Sequence, residues 1–155
     1  MVSKLQKELK QNKPFRSLEE EVILNVARTA EYLTGEIACA LKAADLTVTQ
    51  YNVLRILRGA GEEGLTCSEI SERMVTKESD VTRLLDRVES RGFISRERPA
   101  TNRRVVIVRI TDEGLRALTE LDGPIDELNR KLVGHLGQKK QKSLNGLLEA
   151  IRNSS

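Results

Sequence analysis

Apolar residues recur at three- and four-residue steps over both ends of the chain and its middle, and they alternate with period two over one short stretch only. Leu18, Val22, Val26, Ala30, Leu33, Ile37, Leu41 and Ala44 form one long helical seam. Leu132, Leu136, Leu144, Leu147, Leu148 and Ile151 form another, with a break expected near Gly137. Val53, Leu54 and Leu57 mark a helix from Gln50 to Arg58 behind a cap at Thr49. Cys67 to Met74 reads as a short helix in which Thr66 caps the first turn and Glu69 completes a capping box. A second helix is expected from near Thr76. Its buried stripe is Val81, Leu84, Leu85 and Val88, and Gly92 ends it. Val105 to Ile110 then alternates as a strand, and Phe93 to Arg98 supplies its partner across a Pro99 to Arg103 turn. Thr111 caps a further helix, with Asp112 and Glu113 in its first turn and Leu115, Leu118 and Leu121 on its buried face. Gly123 and Pro124 are expected to interrupt that helix, which resumes at Ile125.

This order of parts predicts a mainly α fold, a winged helix-turn-helix of about six helices and a two-stranded wing. One domain of 155 residues is expected. Residues 46–111 form its reading head, and the helices of 1–45 and 112–155 form a dimerisation region. The dimer follows from burial, because both terminal seams lack a second layer to cover them. The competing arrangement packs the two seams on each other within one chain. Residues 1–14 read as a short amphipathic helix or a basic arm, with lysines at positions 4, 7, 10 and 13.

Charge sharpens the picture locally. The chain carries a formal net charge of +3, yet between positions 91 and 109 six arginines (91, 96, 98, 103, 104 and 109) face one acid, Glu97. A basic hairpin beside a helix with Ser79, Arg83, Asp86 and Ser90 facing outward points to double-stranded DNA. Arg83 is the strongest base reader, since a guanidinium donates twice to guanine O6 and N7. Thr76, Ser79 and Thr82 lie within reach of bases or phosphates. Lys77 swings toward the backbone from the helix start, and Arg87 flanks the exposed face as a phosphate contact. For the helix alone, a plain solvated surface with Arg87 neutralised by Asp80 or Glu89 fits equally well. In the wing, Arg98, Asn102, Arg103 and Arg104 complete the candidate set, with Arg104 placed to enter a minor groove.

Other chemistry finds little support. The single histidine, His135, has no metal-ligand spacing around it and reads as a helix C-terminal residue, so neither an enzyme nor a metal or cofactor is expected. Cys39 and Cys67 lie in separate helices without CxxC spacing and read as buried thiols of a reducing compartment. Cys67 at a helix start keeps a thiol redox switch open as an alternative. A winged-helix protein-interaction module is a second alternative, disfavoured by the arginine-rich hairpin. Four aromatics, Phe15, Tyr32, Tyr51 and Phe93, define no ligand pocket. No targeting peptide or membrane span is expected, and a cytoplasmic protein follows by default.

Four segments, in order, resemble the MarR family of bacterial winged-helix transcriptional regulators. They are Leu46-Thr47-Val48-Thr49-Gln50-Tyr51-Asn52-Val53-Leu54, Leu65-Thr66-Cys67-Ser68-Glu69-Ile70, Val81 to Gly92, and Ile110-Thr111-Asp112-Glu113-Gly114. The resemblance implies a homodimeric repressor, less often an activator, that binds a pseudo-palindrome and is released by a small, often phenolic, effector. Its half-sites lie about one helical turn, roughly 34 Å, apart. Two positions depart from the family pattern. The wing has Asn102-Arg103-Arg104 where the family commonly has Asp-x-Arg, which implies a looser tip or a hydrogen-bonded turn. Asp80, beside Glu78, replaces a small hydroxyl residue. Stabilisation of the helix N-terminus is favoured there over acceptance from cytosine N4.

Overall fold

The computed structural model describes residues 1–153. Ser154 and Ser155, which the expected dimerisation region includes, lie outside the described residues. The chain divides into two compact units, Met1–Ile37 and the remainder from Ala38. The first unit holds a short helix α1 (Lys4–Glu8), capped by Ser3, and most of a long helix α2 (Leu18–Leu41). Leu18, Val22, Ile23, Leu24, Val26 and Tyr32 on α2 are all exposed. Of the seam read from the sequence, Leu18, Val22, Val26 and Ala30 are exposed, Leu33, Ile37 and Ala44 half-buried and Leu41 buried.

In the second unit, α3 (Val48–Ala60) occupies the centre. Its side chains Val53, Leu54 and Leu57 are fully buried, and the helix touches α4 (Cys67–Arg73), α5 (Val81–Ser90) and α6 (Asp112–Val133). Leu41, Leu46, Ile70, Leu85, Val88, Val108, Leu118 and Ile125 complete this core. The α3 cap is Thr47, two residues earlier than the sequence suggests. Thr47 and Gln50 form a reciprocal capping box, with Gln50 N donating to Thr47 Oγ1 at 3.1 Å and Thr47 N to Gln50 Oε1 at 3.1 Å. Both Thr47 and Thr49 have cap chemistry. Gln50 at the third helical position selects Thr47.

Helix α6 runs unbroken through Gly123 and Pro124, against the expected interruption. Pro124 removes one backbone donor and ordinarily costs about 3 kcal/mol inside a helix. Burial of Leu118, Leu121 and Ile125 holds the helix on both sides of it. A bidentate pair, Arg58 Nη1 and Nη2 to Asp122 Oδ2 and Oδ1 at 2.8 and 3.0 Å, ties it to α3. A 3₁₀ turn at Gly134–Leu136 and Gly137, with φ 79°, then separate α6 from α7 (Gln138–Arg152), so the expected break falls where the sequence places it. His135 lies in that 3₁₀ turn rather than at the end of an α-helix. Leu144, Leu147 and Ile151 on α7 are exposed. The described residues hold seven α-helices against the about six expected.

The wing is a three-stranded antiparallel sheet and not a lone hairpin. Strand β2 (Ile94–Glu97) pairs with β3 (Ile107–Ile110), placing Ile94 opposite Ile110 and Glu97 opposite Ile107. The extra strand, β1 (Leu65–Thr66), pairs with the other edge of β3, with Leu65 opposite Val108. Two residues carry no periodicity, so this strand has no sequence signal. Val105 and Val106 fall outside β3, and residues 98–106 form the tip.

Candidate nucleic-acid interface

Helix α4 begins with the expected capping box, in which Thr66 N donates to Glu69 Oε2 at 2.8 Å and Glu69 N to Thr66 Oγ1 at 3.2 Å. These bonds to the carboxylate hold the Glu69 pKa below its ordinary value. Helix α5 begins five residues later than expected. Asp80 is its N-cap, and its carboxylate accepts from Arg83 N at 2.9 Å. Thr76, Lys77 and Ser79 therefore lie in the exposed loop leading to α5 and not on its first turn. Asp80 stops the helix from extending backward because its side chain takes the donor that a longer helix would satisfy internally. That bond also commits the Asp80 carboxylate to the helix start. The loop is tied to α3 by Val75 N donating to Asn52 Oδ1 at 2.9 Å.

On α5 itself Leu84, Leu85 and Val88 are buried, while Thr82, Arg83, Asp86 and Arg87 are exposed. Arg83 and Arg87 stand one turn apart on the same side. Neither forms an ion pair among the described residues, although Glu78 and Asp80 line the same groove. Asp80 caps the helix, and Asp86 and Glu89 both accept from Arg96. The neutralised-surface reading of Arg87 needs Asp80 or Glu89 and so loses its partners. The facing wall carries no signal in the sequence. Thr47, Thr49 and Gln50 at the start of α3 line a groove of about 470 Å³ with Ser79, Arg83 and Arg87, and with the acids Glu78 and Asp80. A neighbouring recess of about 380 Å³ shares Thr47, Gln50 and Arg87 and adds Lys42 and Arg91. A helix start near position 49 was legible. Its approach to α5 was not, since it depends on how the two helices cross.

The wing divides its arginines into two groups. Arg91 donates to the carbonyls of Asp45 and Ala44, and lies 4.8 Å over the Phe93 ring. Arg96 pairs with Asp86 and Glu89, and Arg109 donates to Glu97 Oε2 at 3.1 Å and to the Glu62 carbonyl at 2.8 Å. These three of the six arginines are internal fasteners. Arg98, Arg103 and Arg104 remain exposed at the tip without an ion pair among the described residues. Arg98 Nη1 donates to the Arg103 carbonyl at 2.7 Å, and Asn102 Oδ1 accepts from Arg104 N at 3.1 Å. The asparagine thus supplies a hydrogen-bonded turn where a wing acid is missing.

Arg96 also sets an acid-side signature. Its hydrogen bonds to Glu89 hold that carboxyl below its ordinary 4.5. A carboxylate with a depressed folded value contributes stability above the ordinary value, and that contribution is lost as pH falls through the folded value. The melting temperature of the protein should therefore fall as pH drops below about 4.5. Glu89→Gln should flatten that fall, and a thermal melt series across this range checks it. An identical slope in the variant would remove the assignment.

The two cysteines are free. Cys39 is exposed on α2 and Cys67 half-buried at the start of α4, so neither is the fully buried thiol the sequence suggests. Among the described residues there is no cluster of metal-ligating side chains, and no helix is long and apolar enough to cross a membrane.

A buried helical core that presents one helix whose arginines form no ion pair among the described residues, beside an arginine-tipped wing, defines a winged helix-turn-helix protein. Comparison with known proteins gives it a family. The MarR family model matches residues 46–106. The transcriptional repressor IacR of Pseudomonas putida is 30% identical over 126 residues, covering 81% of this chain and 74% of that protein. A MarR transcription factor of Planctomyces limnophilus, 35% identical, superposes with a TM-score of 0.68 over 88% of this chain and 99% of the other. Sco3205 of Streptomyces coelicolor, solved in complex with DNA and 21% identical, shares the fold with a TM-score of 0.80 over 92% of this chain and 91% of its own. The chain belongs to the MarR family of DNA-binding, non-enzymatic transcriptional regulators.

Proposed function

We propose that this protein is a homodimeric repressor that reads a pseudo-palindromic operator and leaves it when a small effector binds. The observation that carries the reading is the set of arginines free of ion pairs among the described residues, Arg83 and Arg87 on α5 and Arg103 and Arg104 at the wing tip. In this reading Arg83 reads a base edge in the major groove, while Thr82, Arg87 and the loop residues Thr76, Lys77 and Ser79 contact backbone or base edges. Arg104 enters the flanking minor groove, with Arg98, Asn102 and Arg103 holding or flanking it. The exposed apolar faces of α2 and α7 support dimerisation, since a contiguous uncovered stripe of this kind marks an association surface. Two symmetric heads then match two half-sites. Repression is the role named for IacR, and release by an effector is the mode the family resemblance implies.

Selection of bound duplex from a random library, followed by titration at two salt concentrations, tests this. An inverted repeat should emerge, with affinity falling steeply as salt rises. Arg83→Ala should relax the preference at one position per half-site by about 1–3 kcal/mol. Arg104→Ala should lower affinity at most sites and reduce the salt slope by about one. Negligible effects of both changes on the selected duplex would remove the residue assignment.

A further inference from the structure

We infer that Arg96 is a positioning residue for DNA recognition, locking the root of the wing to helix α5 so that the wing tip and the helix meet the duplex in one fixed relation. This rests on the DNA-reading arrangement proposed above. Arg96 sits in β2 opposite the buried Val108, one residue before the last paired position of the strand. Its guanidinium leaves the sheet and spans to α5. Nε donates to Glu89 Oε2 at 3.0 Å, and Nη2 donates to Glu89 Oε1 at 3.0 Å and to Asp86 Oδ1 at 2.5 Å. Asp86 and Glu89 are three residues apart and so stand on one ridge of the helix.

Three charge-assisted bonds from one planar group fix orientation as well as distance, which a single point contact does not. They also act at the place with most leverage. Beyond Arg96 only Glu97 remains paired, with Ile107, and residues 98–106 then reach out to the tip without strand pairing. The contacts inside the tip, Arg98 to the Arg103 carbonyl and Asn102 to Arg104 N, shape the tip itself but do not join it to α5. The direction of the wing relative to the helix face carrying Arg83 and Arg87 is therefore set at Arg96. The same contacts neutralise the two acids of α5, so an electrostatic role and a positioning role must be separated by experiment.

The test is a double-mutant cycle between the clamp and the wing tip, measured as affinity for the selected operator duplex. Asp86→Asn with Glu89→Gln breaks the clamp by isosteric changes at side chains that are 57% and 39% exposed, and makes each chain more positive. Charge alone predicts that this background binds DNA more tightly with Arg104 worth as much as before. Positioning predicts that Arg104→Ala, costing on the order of tenfold in the unaltered protein, costs less than about threefold here. Arg96→Lys, which keeps the charge but not the planar fork, should give the same reduced Arg104 effect. An equal cost of Arg104→Ala in all backgrounds overturns the clamp while leaving the wing's DNA contact intact. No cost of Arg104→Ala in the unaltered protein overturns the wing reading itself, and the clamp with it.

Discussion

Leu144→Asp combined with Leu147→Asp on α7 is expected to make the protein monomeric and to lower its affinity for the inverted repeat by roughly 10²–10⁴-fold, without unfolding the reading head. Both leucines are exposed, 42% and 65%, so neither contributes to the core that holds α5. The buried residues that do, Leu54, Leu57, Leu85 and Val88, are far from α7 in sequence and untouched by the change. A carboxylate placed in an apolar association surface loses its hydration without gaining a partner, and two per chain make four in a symmetric interface. A monomer engages one half-site and forfeits the effective concentration that the second head supplies. Sedimentation of the variant gives the oligomeric state, and titration on a full operator and on an isolated half-site separates the two effects. Retained dimerisation with unchanged affinity would place the association surface elsewhere.

A second large effect is expected at Gly114. A Cβ built there would lie 2.4 Å from the Phe93 carbonyl oxygen and 2.7 Å from Ile110 Cγ1, and the first of these is a backbone atom that must move to make room. Gly114 lets the first turn of α6 press against the roots of β2 and β3, where Thr111 N donates to the same Phe93 carbonyl at 3.0 Å. Gly114→Ala should cost about 1–3 kcal/mol or more by overpacking. The melting temperature should then fall by about 2–4 °C per kcal/mol, with weaker operator binding because the displaced strands carry the wing. Gly59, near the end of α3, has no atom within 4 Å of such a Cβ. Gly59→Ala should instead stabilise by about 0.5–1 kcal/mol through the lost backbone freedom of the unfolded chain. Calorimetry on the two variants checks the opposite signs, and a neutral Gly114→Ala would mean that α6 and the wing root can separate freely.

The capping box at Thr66 and Glu69, the stripe Val81, Leu84, Leu85 and Val88, and the end of α5 at Gly92 were legible because each is written in residues close in sequence. Where two local signals compete, proximity alone does not choose. Thr47 and Thr49 both suit a cap, and the start of α5 lay at Asp80 although Thr76 offered a similar signal. Pro124 shows a stronger override, in which a residue that ordinarily ends a helix is carried inside one by burial on both sides and by Arg58 holding Asp122.

The candidate interface divides in the same way. The residue types of a DNA reader, and the helix and hairpin that bear them, can be read from the chain. Which arginines remain available cannot. Arg91, Arg96 and Arg109 look like Arg98, Arg103 and Arg104 in sequence, yet the first three are consumed by acids and carbonyls 7 to 47 residues away. The helical stripes, the caps and the arginine-rich hairpin can be read along the chain, since hydrophobic periodicity and cap chemistry act over a few neighbouring residues. The third strand of the wing, the continuity of α6 and the division of the arginines into fasteners and tip groups without an ion pair among the described residues emerge in the folded molecule alone. Each of these depends on the meeting of distant segments, and an ion pair or a two-residue strand leaves no periodic trace along the chain.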